Sequence, residues 1–300
     1  MKISRHVHIA FALFSACLAF FAYAQENVLY EKASAYNNII VTEEASGYRV
    51  LRFERGGARQ SIGKPGEPEY LGFAYTKVAF VGLALVPEPS RILVVGIGGG
   101  TMPMFLRKYY PNATIDAVDI DPDVVQVAKE YFGFREDDRL KAHVGDGRGF
   151  IEKTRDPYDI IFLDAFGTRN VPVHLTTAEF MQAVRRAVKP AGVIVGNIWG
   201  RSANPLYDAM VRTYQEVFDE LYMLDVPGTT NKILLALPRK QVLNRAMLVK
   251  NARATAAAKR FQFDLGAIEE GQFHILNQKD KARHVLRDSD AAWGTPAKAQ

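Results

Sequence analysis

Cysteine is nearly absent from this chain: Cys17 is the only one in 300 residues. It falls inside an N-terminal segment laid out like a secretory signal peptide, in which Lys2 and Arg5 precede a weakly polar run from Ile9 to Ala24 that ends Ala22-Tyr23-Ala24. Cleavage after Ala24 leaves a mature chain without a thiol, which excludes disulfides and thiolate metal sites. Histidine is sparse as well, and His143, His274 and His284 lack metal-ligand spacing, so no metal is expected. Long hydrophobic runs are missing: the Ile9 to Ala24 stretch is short for a bilayer span, and nothing later reaches the roughly eighteen residues a span needs. The expectation is export to the periplasm with residues 1–24 removed and no stable membrane span in the mature chain. An uncleaved N-terminal anchor is the alternative, while Phe14-Ser15-Ala16-Cys17 has Phe where a lipoprotein box usually has Leu.

Charge of one sign is not in great excess. Formal net charge is +5, and +3 once Lys2 and Arg5 are gone. The basic residues that cluster late, such as Lys250, Arg253, Lys259 and Arg260, have no aromatic-interleaved motif beside them, so nucleic-acid binding is not expected.

What is present is ample apolar material, 48% of residues, enough for one large α/β domain and a small companion. Four segments are expected: the signal peptide at 1–24, an N-terminal β domain at 25–66, a Rossmann-like domain at 67–260, and a C-terminal extension with a polar tail at 261–300. Short alternating bursts, Asn38-Ile39-Ile40-Val41-Thr42 and Tyr48-Arg49-Val50-Leu51-Arg52-Phe53, predict a small antiparallel sheet. A mostly apolar helix is predicted from about Tyr70 to Leu85. Strands are then predicted at 92–95, 114–118, 140–144, 160–163 and 193–198, alternating with helices in the manner of a parallel sheet covered on both faces. Two late strands, near 221–224 and 233–237, are expected to complete it, with helix from Lys240 and a loosening after about Asp288.

The strongest motif follows Arg91: Ile-Leu-Val-Val-Gly96-Ile-Gly98-Gly-Gly100-Thr, then a second apolar strand ending Val118-Asp119-Ile120-Asp121-Pro122. A buried strand turning sharply into a helix through Gly96, Gly98 and Gly100 lets ligand atoms approach the backbone, and a carboxylate at Asp119 can accept both hydroxyls of a ribose. A dinucleotide fingerprint starting at Gly96 requires glycine at 101, where Thr101 stands. The Gly-x-Gly-x-Gly form is that of proteins binding S-adenosylmethionine and its relatives. Two further acids end strands beside this turn, Asp146 in Gly145-Asp146-Gly147 and Asp164 in Leu163-Asp164-Ala165, though such acids also serve as plain helix caps.

From about residue 28 to 238 the chain resembles the spermidine synthase family of polyamine aminopropyltransferases. The likeness is carried by Tyr30-Glu31-Lys32, Tyr36-Asn37-Asn38-Ile39-Ile40-Val41, Gln60, Phe73-Ala74-Tyr75, the glycine turn, Asp119-Ile120-Asp121, Gly145-Asp146-Gly147 and Tyr158-Asp159-Ile160-Ile161-Phe162-Leu163-Asp164. Leu175-Thr176-Thr177-Ala178-Glu179-Phe180 and Lys189-Pro190-Ala191-Gly192-Val193 follow in order. The resemblance implies a class I S-adenosylmethionine-dependent methyltransferase-like sheet with a small N-terminal antiparallel β domain, and a homo-oligomer. It also implies decarboxylated or intact S-adenosylmethionine as co-substrate, with no tightly bound cofactor, and a small amine, such as a polyamine, as acceptor. Carried over by position, Gln60, Gly96, Gly98, Gly100, Asp119, Asp146, Gly147 and Asp164 bind the donor. Tyr75 positions the amine, and Asp164 faces the sulfonium.

Three ionisable groups that the family uses are missing here. Gly99 stands where an aspartate receives the aminopropyl ammonium, Gly167 where an aspartate takes up the amine's proton, and Thr76 where a histidine follows the loop tyrosine. His174, on the loop after the fourth parallel strand, is the candidate substitute base or carboxylate-binding group. Without the acid at 99 the chain fits intact S-adenosylmethionine, so methyl transfer is one alternative. A non-catalytic periplasmic nucleoside-binding protein is another.

Overall fold

The computed structural model describes residues 27–167 and 170–291, so the signal-peptide segment lies outside the described residues. The chain opens with four antiparallel strands in sequential order, β1 (Asn27–Ala33), β2 (Asn38–Glu43), β3 (Arg49–Arg52) and β4 (Arg59–Gly63). Next come a short helix α1 (Ala74–Ala79) and a 3-10 turn, Phe80–Ala84. The helix predicted over 70–85 therefore starts later and ends early. Gly72 packs so close to β4 that a Cβ there would sit 2.7 Å from Ile62 Cβ, which holds this entry outside a helix, and Phe73 is still extended.

The remainder alternates as expected: β5 (Arg91–Val95), α2 (Thr101–Tyr109), β6 (Thr114–Asp119), α3 (Pro122–Tyr131), β7 (Leu140–Val144), α4 (Gly147–Glu152), β8 (Tyr158–Leu163), α5 (Ala178–Ala187), β9 (Val188–Trp199) and α6 (Tyr207–Val217). Then β10 (Glu220–Asp225), β11 (Asn231–Leu237), α7 (Arg245–Lys259), β12 (Phe273–Ile275) and α8 (Asp288–Ala291) complete the chain. The large sheet has eight strands in the order β12-β10-β11-β9-β8-β5-β6-β7. Strands β7, β6, β5, β8 and β9 run parallel, and β11, β10 and β12 add antiparallel pairs.

Helices form where apolar residues recur at three and four and where a cap stops fraying. Helix α3 begins with Pro122 behind Asp121, whose carboxylate accepts from the Asp123 N–H, and buries Val124, Val125, Val127 and Ala128. Helix α5 is capped by Thr177 and buries Phe180, Met181, Ala183, Val184 and Ala187. One face of the sheet, with Ile92, Val94 and Ile115, packs beneath α2 and α7; the other, with Leu93, Val95 and Ile161, packs beneath α5 and α6.

The N-terminal sheet has its own contact with the main domain. Ile39, Val41 and Leu51 pack against Val124, Val127 and Phe132 of α3 and its exit. Asp121, fully buried, accepts from Ser34 Oγ at 2.5 Å in the turn between β1 and β2. That docking lays β4 across the glycine turn.

One strand was not foreseen. Beyond the two late strands, β12 extends the edge, pairing with β10 over only three residues. The stack of Tyr222 on Phe273, 5.7 Å between centroids, and the 3.2 Å contact of His274 with Asp225 hold it there. A three-residue segment has too little alternation to read as a strand, because its pairing comes from these tertiary contacts.

Candidate active site

The carboxyl ends of β8, β5, β6 and β7 lie side by side, and each supplies one element of the site. The turn after β5 is left-handed at Gly96 (φ 98°), Gly98 (φ 52°) and Gly100 (φ 76°), values that disfavour any side chain. Its surroundings add a steric reason. A Cβ at Gly96 would lie 2.3 Å from the Asp164 carbonyl oxygen, and one at Gly98 would lie 2.7 Å from Ser61 Oγ. The protein's own packing thus demands glycine at both positions. The approach of Ser61 also brings neighbouring Gln60, on β4, to the turn.

Asp119 ends β6 under this turn. Its carboxylate accepts from the Ile97 N–H at 2.9 Å and from the Asp121 N–H at 3.0 Å. Burial outweighs those bonds and pushes the carboxyl up to about 6. Asp164, after β8, accepts from Tyr75 Oη at 2.9 Å and from Asn197 Nδ2 at 2.8 Å. Asn231 Nδ2 donates to Asn197 Oδ1 at 2.9 Å, so a relay of amides from β11 and β9 fixes which face of Asn197 meets the acid. Burial pushes Asp164 up to about 6 against the pull of Asn197 and Tyr75, and burial beside Asp164 holds the Tyr75 phenol well above its ordinary value. Tyr75 is therefore a neutral donor.

Asp146, after β7, caps α4 by accepting from the Gly149 N–H at 3.0 Å, and its other oxygen lies 2.9 Å from His174 Nε2. Burial works to raise this carboxyl, but His174 and the helix N–H groups hold it below the usual carboxylate range. Gly147 packs on the end of β5, where a Cβ would meet Val95 Cγ1 at 2.5 Å. The structure thus brings Tyr75 to Asp164 and His174 to Asp146. It does not bring His174 to Asp164: β7 and β8 are separated by two strands, so their ends lie roughly 14 Å apart at about 4.8 Å per step.

The three missing family groups have different surroundings. A Cβ at Gly99 would meet Phe132 at 2.9 Å and Ser61 at 3.0 Å, and the Gly99 N–H donates to Ser61 Oγ at 2.8 Å. At Gly167 the nearest atom to a Cβ among the described residues is the Asn170 carbonyl oxygen, at the ordinary contact distance of 3.6 Å. Thr76 is buried and turns its hydroxyl back to the Phe73 carbonyl at 2.7 Å.

Sequence reasoning assigned no role to Asn197, Asn231 or Ser61. A polar Asn197 inside the apolar run of β9 was the available signal; the other two depend on strand pairing and domain docking. Trp199, two residues past Asn197, faces Phe166 with ring centroids 5.3 Å apart, so an aromatic pair stands beside the Asp164 end. Among the described residues no group of three or more histidine, cysteine or acidic side chains could hold a metal ion, and no helix is long and apolar enough to cross a membrane.

The raised carboxyls carry a sign that melting experiments can read. A folded-state value near 6 against an ordinary 3.8 contributes stability that is complete below about pH 4 and is lost as pH rises through 6. Wild-type protein is expected to lose more thermal stability between pH 5 and 7 than Asp164→Asn. Parallel melting curves against pH would refute the raised acid.

Residues 73–223, half the chain, match the spermine/spermidine synthase domain. A polyamine aminopropyltransferase of Vibrio vulnificus (strain CMCP6) is 34% identical over 257 residues, covering 83% of this chain and 85% of that one. The chain belongs to the spermine/spermidine synthase family. A probable spermidine synthase from Corynebacterium glutamicum superposes with TM-score 0.70 at 18% identity over 89% of this chain and 97% of its own, a likeness of fold. The expected architecture, a methyltransferase-like sheet with a separate N-terminal antiparallel sheet, is the one observed. The family sheet is shared with methyltransferases. Human methyltransferase-like protein 13, solved with SAH, matches 64% of this chain and 94% of its own at 32% identity and TM-score 0.58. The human eEF1A lysine and N-terminal methyltransferase is 34% identical over 215 residues, 65% of this chain, which spans only 30% of that protein.

Proposed function

We propose that this family member is a spermidine synthase-like transferase. It binds an S-adenosylmethionine-type donor, decarboxylated or intact, along the carboxyl edge of the sheet and transfers an aminopropyl or related group to a small amine. The observation that carries the reading is the row Asp164, glycine turn, Asp119, Asp146 in strand order β8-β5-β6-β7. A donor lying across it meets a carboxylate at its sulfonium, glycines at its backbone approach, an acid for the ribose hydroxyls and an acid for the adenine amino group. Gln60 is the second candidate for the ribose.

The chemistry asks little beyond orientation. The amine lone pair forms a C–N bond at the carbon beside sulfur as the C–S bond breaks, and the sulfonium leaves as a neutral thioether. The amine's proton then passes to water or a base. Asp164 supplies negative charge beside the cationic donor, and Tyr75 with Asn197 holds that carboxylate still while donating no charge of its own.

A specific observation favours methyl transfer from intact S-adenosylmethionine as the second reading. The space beside Gly99 is filled by Ser61 and Phe132, so no carboxylate there meets an aminopropyl ammonium or repels a methionine carboxylate. Mass spectrometry of reactions with each donor and a panel of diamines and polyamines separates the readings. Methylthioadenosine with an aminopropylated amine is the expected outcome. S-adenosylhomocysteine with a methylated amine transfers the assignment to the second reading, and tight binding without product to the non-catalytic one. Export is a further proposal, resting on residues 1–24 alone; fractionation should find a periplasmic chain starting at Gln25.

A further inference from the structure

The C-terminal segment reaches back over the adenine side of the edge. Leu286 is only 4% exposed; its carbonyl accepts from the Ala178 N–H at 2.8 Å, and its own N–H donates to Thr213 Oγ1 at 2.9 Å. Two residues on, Asp288 faces Arg148, 140 positions away in sequence, and the pair is bidentate, with Nη1 and Nη2 donating to Oδ1 and Oδ2 at 2.6 and 2.7 Å. Thr177 Oγ1 adds a bond to Oδ1 at 2.7 Å, and the Asp288 N–H donates to Glu179 Oε2 at 3.0 Å. Arg148 sits in the first turn of α4, two residues after the acid that caps it, and also donates to the His174 carbonyl at 3.4 Å. The chain of contacts runs Asp288, Arg148, His174, Asp146.

An exposed ion pair contributes little, but a fork-to-fork pair whose arginine is 20% exposed and tied to a second segment fixes geometry. Among its described residues, the loop it holds has one regular element, the 3-10 turn Val173–Leu175. We infer that Asp288 is a positioning residue for the adenine end of the donor, acting through Arg148 and the His174 loop on the orientation of Asp146. This rests on the adenosyl-donor reading. It assigns the far C-terminal segment, outside the matched domain at 73–223, a part in nucleoside recognition.

The test uses methylthioadenosine and methylthioinosine, which differ at the exocyclic group that Asp146 would accept from. Calorimetry on wild-type protein should show a preference for the adenine compound. Asp288→Asn keeps the shape and loses the charged fork, and should narrow that preference by about fivefold, the worth of one hydrogen bond. Donor KM should rise with it while kcat at saturating donor stays within twofold. Arg148→Lys, which keeps charge and loses the fork, should give the same narrowing and guards against a folding defect in the first variant. Equal weakening of both compounds, or an unchanged preference in both variants, overturns the inference and leaves the donor reading standing. Wild-type protein that binds neither compound overturns both.

Discussion

Asp164→Asn is expected to lower kcat by about 10²–10³-fold, the usual effect of removing one preorganised electrostatic group from a reaction centre. The substitution is nearly isosteric, and Asn197 and Tyr75 can still pair with the amide, so the fold should persist. What disappears is the negative charge beside the sulfonium. Because burial already makes that charge unfavourable in the empty site, the variant should be at least as stable as wild type at pH 7, and its affinity for a neutral product such as methylthioadenosine should be nearly unchanged. Steady-state kinetics with melting and product binding test all three. A kcat within threefold of wild type would remove Asp164 from the chemistry.

The second large effect is a gain. Gly167→Asp should raise aminopropyl transfer to a diamine at neutral pH by about 10²-fold, toward the range that a positioned general base provides. The amine is protonated at that pH, and the group the family resemblance places at 167 to take up its proton is missing, while among the described residues no atom comes closer than 3.6 Å to a Cβ there. Gly99→Asp should do the reverse of repair. Its side chain would be driven against Phe132 and Ser61, and the expected result is weaker donor binding and a lower melting temperature. Rates with decarboxylated donor across pH 6 to 10 read both variants. A folded Gly167→Asp protein with wild-type rates would show that proton removal does not limit the reaction.

The legible parts of this molecule are those whose cause is local. The glycine turn could be read because a buried strand precedes it and a capped helix follows its partner strand. The acids at 119, 146 and 164 could be read because each ends an apolar run. The roles of Asn197, Asn231 and Ser61 depend on which strand lies next to which, and no periodicity encodes that. For His174 the sequence offers a substitute base or a carboxylate-binding group, and it is the loop path that decides which strand-end acid its ring meets, Asp146. β12 and the Asp288 contact escaped for the same reason, since each is made by side chains distant in sequence. At Gly99 the sequence records only a missing acid; the structure adds that Ser61 and Phe132 occupy its place.

The adenosyl-donor site is best read by calorimetric titration of the purified protein with S-adenosylmethionine, its decarboxylated form and methylthioadenosine, with Asp119→Ala as the control. At least one of the three should bind, with affinity weakened about tenfold or more in Asp119→Ala through loss of the ribose contacts. No binding of any of them, or equal binding by the Asp119→Ala protein, would contradict it.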